Sequence, residues 1–284
     1  MMHMIADARN RNMEDIVMET SRPRLTVIGT GNMGGAFTEA LARTENIDLC
    51  IYDSYGPCAE KLAQSHRNIK VLPSMDQAKG SHIVIIAVKP QVLPSIYAQL
   101  AELKPDFFIS IAAGVTLEKL TANLRTDKVV RFMPNIAAKI GCAVTAIACS
   151  PAVSDKERQE AIDVAKSVGS AFELEESLFS AFIGISGSGI AYMFEMMHQM
   201  AMGGVREGIP YPKALSIVAD TMLSAANLQK ETGRNAVELE TMVCSARGTT
   251  IEGVKALTDG GFGAAVINAV SAAANKSSEL EKKA

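Results

Sequence analysis

Gly29, Gly31 and Gly34 stand in the spacing G-x-G-x-x-G, within Gly29-Thr30-Gly31-Asn32-Met33-Gly34. Leu25-Thr26-Val27-Ile28, short, apolar and partly β-branched, precedes this turn, and Ala36 to Arg43 reads as a helix after it. Strand, glycine turn and helix together are the context in which this spacing binds a dinucleotide. Gly29 permits the tight turn, Gly31 lets a pyrophosphate approach the backbone, and Gly34 lets helix pack close on strand. The helix then offers free N–H groups and a positive dipole end to the phosphates. Thr30, Asn32 and Met33, carried on the turn, are candidate cofactor contacts with the three glycines. Asp53 ends a second strand, Ile47 to Tyr52. An acid about twenty residues past the glycines bonds a ribose 2′-hydroxyl and repels a 2′-phosphate, which leans the chain toward NADH. Ser54-Tyr55-Gly56-Pro57 follows it, so a turn or N-cap aspartate is an equal alternative.

These residues need a scaffold, and the sequence supplies one. Ile83 to Val88 is a continuous apolar run, the mark of a strand buried on both faces, and it stops at Lys89-Pro90. Carboxyl ends of parallel strands face the ligand crevice, which makes Ala87, Val88, Lys89 and Pro90 candidate cofactor contacts. The plainer alternative is that Pro90 ends the strand and Lys89 is solvated. Phe107 to Ile111 opens into Ala112-Ala113-Gly114, small residues beside which a ligand can come near. Ile69 to Val71, Val129 to Met133, Ala143 to Ala148 and Ala171 to Leu174 read as further strands. Strands alternating with helices imply an α/β fold, a Rossmann-type doubly wound parallel sheet with its strand ends on one edge. A helix from the Ser154 N-cap to Val168 belongs to it.

From Glu176 onward Met, Ala and Gly dominate, and helical periods replace the alternation. The expected division is an N-terminal extension over residues 1–22, frayed or disordered, a dinucleotide-binding domain over 23–176, and an all-helical domain over 177–284. Ala191 to Glu207 is apolar nearly all round, so it is expected to be buried or to lie at a subunit interface. Lys213 to Glu231, Val237 to Val243, Thr250 to Leu257 and Ala264 to about Leu280 continue the helices. Two small-residue stretches here could capture an anion, each read as a turn that opens a helix: Gly184 to Tyr192, and Val243 to Glu252. An ordinary capped helix would look similar. Two such stretches beside a nucleotide turn point to a small carboxylate-bearing substrate held against a nicotinamide.

Composition narrows the classes. The 284 residues carry 28 Lys+Arg against 31 Asp+Glu, with no basic stripe for nucleic acid or an anionic membrane. No run of about 18 uninterrupted apolar residues is present, so no membrane span is expected. Five cysteines without C-x-x-C spacing or grouping with the four histidines read as reduced thiols of a cytoplasmic protein, and no metal site is expected. Met193, Met196, Met197, Met200 and Met202 are expected as core or interface, and His198 as a packed side chain.

The chain resembles the 1-pyrroline-5-carboxylate reductase family from about Leu25 to its C-terminal helices. The resemblance rests on Gly29-Thr30-Gly31-Asn32-Met33, Ala87-Val88-Lys89-Pro90, Ala112-Ala113-Gly114-Val115-Thr116, Arg131-Phe132-Met133-Pro134-Asn135, Ser186-Gly187-Ser188-Gly189, and Val243-Cys244-Ser245 with Gly248-Thr249-Thr250. It implies reduction of a cyclic imino acid to L-proline with NAD(P)H, and a helical domain that interlocks two subunits in a homodimer or a larger ring of dimers. It further implies that Gly29 to Gly34 and Ala87 to Pro90 hold the cofactor. Gly248, Thr249 and Thr250 would hold the substrate carboxylate, Thr250 would bond the imine nitrogen, and Glu176 would be a ligand-facing acid. The chain departs from the family pattern at Ile190, Met242, Ala246 and Arg247, and after Asn135. Arg247 either points to solvent or pairs with an extra acidic group on a different imine. Two other readings stay in view: reduction of another cyclic imine or a hydroxyacid-type substrate, and a module that senses NAD(P)H without turnover.

Overall fold

The computed structural model describes residues 22–44 and 46–283. The expected extension therefore lies outside the described residues except for Arg22. Eight strands form one sheet: β1 (Arg24–Ile28), β2 (Asp48–Tyr52), β3 (Ile69–Val71), β4 (Ile83–Ile86), β5 (Phe107–Ser110), β6 (Val129–Pro134), β7 (Ala143–Cys149) and β8 (Gly169–Glu173). Their order is β3-β2-β1-β4-β5-β6-β7-β8. The order reverses between β1 and β4, the switch point at which open α/β sheets bind ligands.

One expectation about the sheet is corrected. β7 runs antiparallel to β6, and β8 runs parallel to β7, so the last two strands end on the opposite edge from the other six. A short connection, Asn135 to Cys142, joins β6 to β7, too short for the helix that a parallel crossover needs.

Helices cover both faces. α1 (Asn32–Leu41), α2 (Gly56–Ser65), α3 (Leu93–Ala101), α4 (Leu117–Leu124) and α5 (Asp155–Lys166) belong to the sheet half. α3 and α4 escaped the sequence reading. On one face Phe37, Leu49, Ile85, Ile109 and Phe132 are buried with Ala161 and Val168 of the α5 region. On the other, Ile28, Val84, Ile86 and Phe108 pack with Leu93, Leu100 and Leu120. α5 starts with a capping box: the Ser154 hydroxyl accepts from the Glu157 N–H, and the Glu157 carboxylate accepts from the Ser154 N–H.

The helical half begins with an almost unbroken run, Glu176–Arg206. It contains α6 (Phe179–Phe182), a π-turn (Ile183–Gly187) and α7 (Gly189–Arg206). α8 (Tyr211–Thr232), α9 (Ala236–Val243), α10 (Thr249–Asp259) and α11 (Phe262–Lys283) follow. By length and composition the run Glu176–Arg206 is long and apolar enough to cross a membrane, although polar residues interrupt it, contrary to the expectation of no such segment. Only 28% of its most apolar window is buried within the chain. Phe194, Met193, Met200 and Met202 are exposed, as are Ile217, Leu223, Val237 and Ile267 on the helices around it.

Arg131 ties the two halves together. Its side chain leaves β6, is 1% exposed, and lies 4.8 Å over the ring of Phe179. One guanidinium nitrogen donates to Glu176 Oε1 and the other to Glu281 Oε1, both at 2.6 Å. A buried guanidinium is stable only when paired, so it holds the start of the α6 run and the end of α11 against the sheet.

His82, just before β4, makes a second clamp at the opposite edge. Its two ring nitrogens lie 2.6 Å from Asp106 and 2.8 Å from Glu160. Burial alone would push the imidazole down, but the hydrogen bonds to Asp106 and Glu160 outweigh it and hold it above its ordinary value. Because the folded value is raised, the clamp contributes fully below the unfolded value, about 6.5, and is lost as pH rises through the folded one. Urea unfolding of the native chain and of His82→Gln across pH 5.5–8.5 should show a stability gap that is widest at the acid end. A gap independent of pH would remove the charge from the account.

Candidate functional site

The glycine turn sits at the switch point, and its three glycines meet three different constraints. Gly29 has φ +95°, and a Cβ there would lie 2.9 Å from the Ala87 carbonyl oxygen. A Cβ on Gly34 would lie 1.9 Å from the Gly29 carbonyl oxygen, so α1 could not pack as it does. A Cβ on Gly31 would meet nothing within 4 Å, the open approach that a pyrophosphate needs. Gly31 caps α1 without a side-chain hydrogen bond, and the first N–H groups of the helix have no intrahelical partner. This cradle fits a dinucleotide diphosphate.

A cleft of about 430 Å³ opens beside the turn, lined by Gly29, Gly31 and Asp53 together with Ala87, Val88 and Lys89. The structure thus brings the sequence candidates of three separate loops to one place. Lys89 is exposed and caps the short turn Pro90–Val92. Ala112 is buried and Ala113 exposed in the loop after β5, neighbours of β4 in the sheet. Among the described residues no group of three His, Cys, Asp or Glu is placed to hold a metal.

Asp53 is more heavily engaged than the sequence reading supposed. Its Oδ2 accepts from the Thr30 N–H at 2.6 Å and the Thr30 hydroxyl at 2.7 Å, and its Oδ1 accepts from the Tyr55 N–H at 2.9 Å. The turn role is therefore present in geometry, and the same carboxylate also lines the cleft.

Glu176 has partners within the chain. Beside Arg131, its Oε1 accepts from the Leu117 N–H at 2.7 Å. The carboxylate anchors the N-terminus of α4 and neutralises the buried guanidinium. Sequence reading quoted Arg131 only as part of a motif. The available signal was a lone arginine in an otherwise apolar strand, which must find a buried partner.

Ser186-Gly187-Ser188-Gly189 is corrected from a turn that opens a helix to a π-turn inside a continuous one. The Ser188 N–H donates to the Ile183 carbonyl, five residues back, at 2.8 Å. Its N–H groups are thus not a free anion-binding end. Instead Ser186 is buried, and the Asn135 side-chain amide donates to its hydroxyl at 3.2 Å. Such π-turns within helices often mark functional sites.

The second stretch does open a helix. Gly248 caps α10 with extended backbone and no side-chain hydrogen bond, leaving the N–H groups of Thr249 and Thr250 free of intrahelical partners. The Gly248 N–H donates to the Ser245 carbonyl at 3.0 Å, closing the loop. Arg247 adopts φ +58°, a left-handed conformation that costs a non-glycine residue on the order of 1 kcal/mol. Its side chain is exposed. The cleft beside the glycine turn takes none of its lining from α9, α10 or the loop between them. Within one chain, therefore, Thr250 does not border the cofactor cleft.

The model for pyrroline-5-carboxylate reductase dimerisation matches residues 176–280, and a model for NADP oxidoreductase, coenzyme F420-dependent, matches residues 24–114. A pyrroline-5-carboxylate reductase of Methanosarcina acetivorans is 39% identical over 271 residues, spanning 92% of this chain and 98% of that one. The structure of a pyrroline-5-carboxylate reductase from Coxiella burnetii superposes with a TM-score of 0.87 at 25% identity, covering 91% of this chain and 98% of the other. A Plasmodium falciparum pyrroline carboxylate reductase with NADP bound shares the fold, with a TM-score of 0.75 at 24% identity over 91% and 98% of the two chains.

Gly31→Asp separates fold from ligand at this site. Aspartate is a favourable N-cap and its Cβ has room, so stability should stay within about 1 kcal/mol of the native chain. The added carboxylate would face the diphosphate, and calorimetric titration should show NAD(P)H affinity reduced at least about a hundred-fold. Native affinity in this variant would mean that no phosphate lies against Gly31.

Proposed function

The chain belongs to the pyrroline-5-carboxylate reductase family, and we propose how its residues divide the work of that reaction. It is an NAD(P)H-dependent oxidoreductase that acts on a C=N bond, reducing 1-pyrroline-5-carboxylate to L-proline. The domain division at 23–176 and 177–284 is supported by the end of β8 at Glu173 and the helices from Glu176 onward. Gly29 to Gly34, Ala87 to Pro90, Ala112 and Ala113 are assigned to the cofactor. When bound, the dihydronicotinamide supplies the hydride.

The observation that carries the substrate assignment is the uncapped N-terminus of α10. The free N–H groups of Thr249 and Thr250 and the positive dipole end, with Gly248 as the cap, suit a carboxylate. The Thr250 hydroxyl beside them can hydrogen-bond the imine nitrogen and hold the proton that the nitrogen gains. No strong general base is called for, since an imine carbon is electrophilic once its nitrogen is protonated. Glu176 is assigned an indirect part: it fixes α4 and Arg131 around the site.

Thr250 does not line its own cofactor cleft, which supports a site completed by the loop of a second subunit. The exposed apolar side chains of α7, α8 and α11 support the same assembly, a homodimer or a larger ring of dimers. Five cysteines without a disulfide among them fit a cytoplasmic location.

Thr250→Ala should lower kcat/KM for 1-pyrroline-5-carboxylate by about ten- to a hundred-fold, the scale of one hydrogen bond to a charged group, with cofactor affinity unchanged. Unaltered kinetics would take Thr250 out of the site. Arg247→Gly is its companion, because glycine relieves the left-handed backbone. Unchanged turnover matches the exposed side chain; improved turnover would assign Arg247 to a different, more acidic imine.

NADH is expected to serve at least as well as NADPH, since Asp53 stands where a 2′-phosphate would meet it. Steady-state kcat/KM for the two cofactors checks this. A strong NADPH preference that persists in Asp53→Ala would place Asp53 away from the ribose.

A further inference from the structure

Thr30 is buried, and both of its donors are directed at one oxygen. Its N–H and its hydroxyl reach Asp53 Oδ2 at 2.6 and 2.7 Å, while the Tyr55 N–H reaches Oδ1 at 2.9 Å. An ionised carboxylate has about four acceptor positions, two on each oxygen. Thr30 fills both on Oδ2 and Tyr55 fills one on Oδ1. One acceptor position remains, on Oδ1, in a residue that lines the cofactor cleft.

A carboxylate held in this way can accept one further hydroxyl. It cannot turn aside for an anion without breaking a charge-assisted hydrogen bond to Thr30. We propose that Thr30 is a positioning residue whose hydroxyl locks Asp53 and thereby sets the discrimination between a nucleotide with a free 2′-hydroxyl and one with a 2′-phosphate. This rests on the reading of Asp53 at the ribose. Two backbone N–H groups, Thr30 on Oδ2 and Tyr55 on Oδ1, hold each oxygen by one bond and leave a second position on Oδ2 open. The Thr30 hydroxyl supplies the third bond, fills that position and stiffens the carboxylate against rotation about its Cβ–Cγ bond. The lock also links the end of β2 to the glycine turn, so nucleotide choice and diphosphate binding share one residue.

Thr30→Val keeps the β-branched shape and removes the donor. Thr30→Ser keeps the donor and removes the methyl. Affinities for NAD⁺ and NADP⁺ are measured by calorimetric titration of the assembled protein, with kcat/KM for NADH and NADPH alongside. In Thr30→Val the ratio of the two affinities should move about ten-fold toward NADP⁺, the scale of one hydrogen bond to a charged group. In Thr30→Ser it should stay within about two-fold of native, on the same scale. A purely structural threonine would weaken both nucleotides equally and lower the melting temperature without moving the ratio, which would overturn the proposal. Thr30→Ala answers the same question if valine prevents folding, since it removes the hydroxyl without added bulk. Asp53→Asn distinguishes the two levels of the argument. A shifted ratio in Asp53→Asn beside an unmoved ratio in Thr30→Val would overturn the lock alone. An unmoved ratio in Asp53→Asn would remove the ribose reading, and the lock with it.

Discussion

Apolar surface of the size carried by α7, α8 and α11 does not stay in water. Phe194, Leu223 and Ile267 are more than half exposed in the single chain, the first two on α7 and α8, which pack against each other, and the third on α11, which packs on α6 and the π-turn. Covering such a face contributes about 25 cal/mol for each Å² of apolar area removed from water. That constraint governs the helical half: residues 176–280 match a dimerisation domain, and a second copy is what covers the face. In the proposed reading the same constraint reaches the reaction, because α10 and its N-terminal loop belong to this half and do not border their own cofactor cleft. On that reading assembly and catalysis depend on one surface.

Interlocking subunits can place a substrate only if each helical half is held firmly to its own sheet. Arg131 provides that hold. Its two carboxylate partners come from opposite ends of the helical half, Glu176 at the start and Glu281 near the end. Among the described residues the guanidinium Nε has no partner, so the hold depends on both acids. Glu176 also takes the Leu117 N–H, which extends the hold to α4. Around the π-turn, Asn135 and Ser186 make the corresponding polar contact nearer the cofactor edge.

How much of this could be read from sequence depended on how local each cause was. The glycine turn was legible because Gly29, Gly31 and Gly34 answer to constraints set within six residues and by the strand beside them. The strands were legible from their apolar runs, and the parallel-dominated sheet from their alternation with helices. The reversal at β7 was not, since nothing in Ala143 to Cys149 marks direction; only the short connection from β6 does. Arg131 was invisible as a tie because its partners lie 45 and 150 residues away. The π-turn was misread for a related reason: Ser186-Gly187-Ser188-Gly189 has the composition of a loop, and packing against α11 keeps it helical. Asp53 was found, but Thr30 was read as a cofactor contact on the turn and not as its partner.

The central claim, that each active site joins the cofactor cleft of one subunit to the α10 loop of another, has a direct test. Chains carrying Gly31→Asp and chains carrying Thr250→Ala are each deficient alone, the first in cofactor and the second in substrate. Co-expressed or refolded together in equal amounts, they should associate at random. Half of the dimers are then mixed, and each mixed dimer has one site with both halves intact, so about a quarter of native 1-pyrroline-5-carboxylate reduction should return. Activity in the mixture no greater than the mean of the two variants alone would show that cleft and loop of one chain form the site, and would contradict the account.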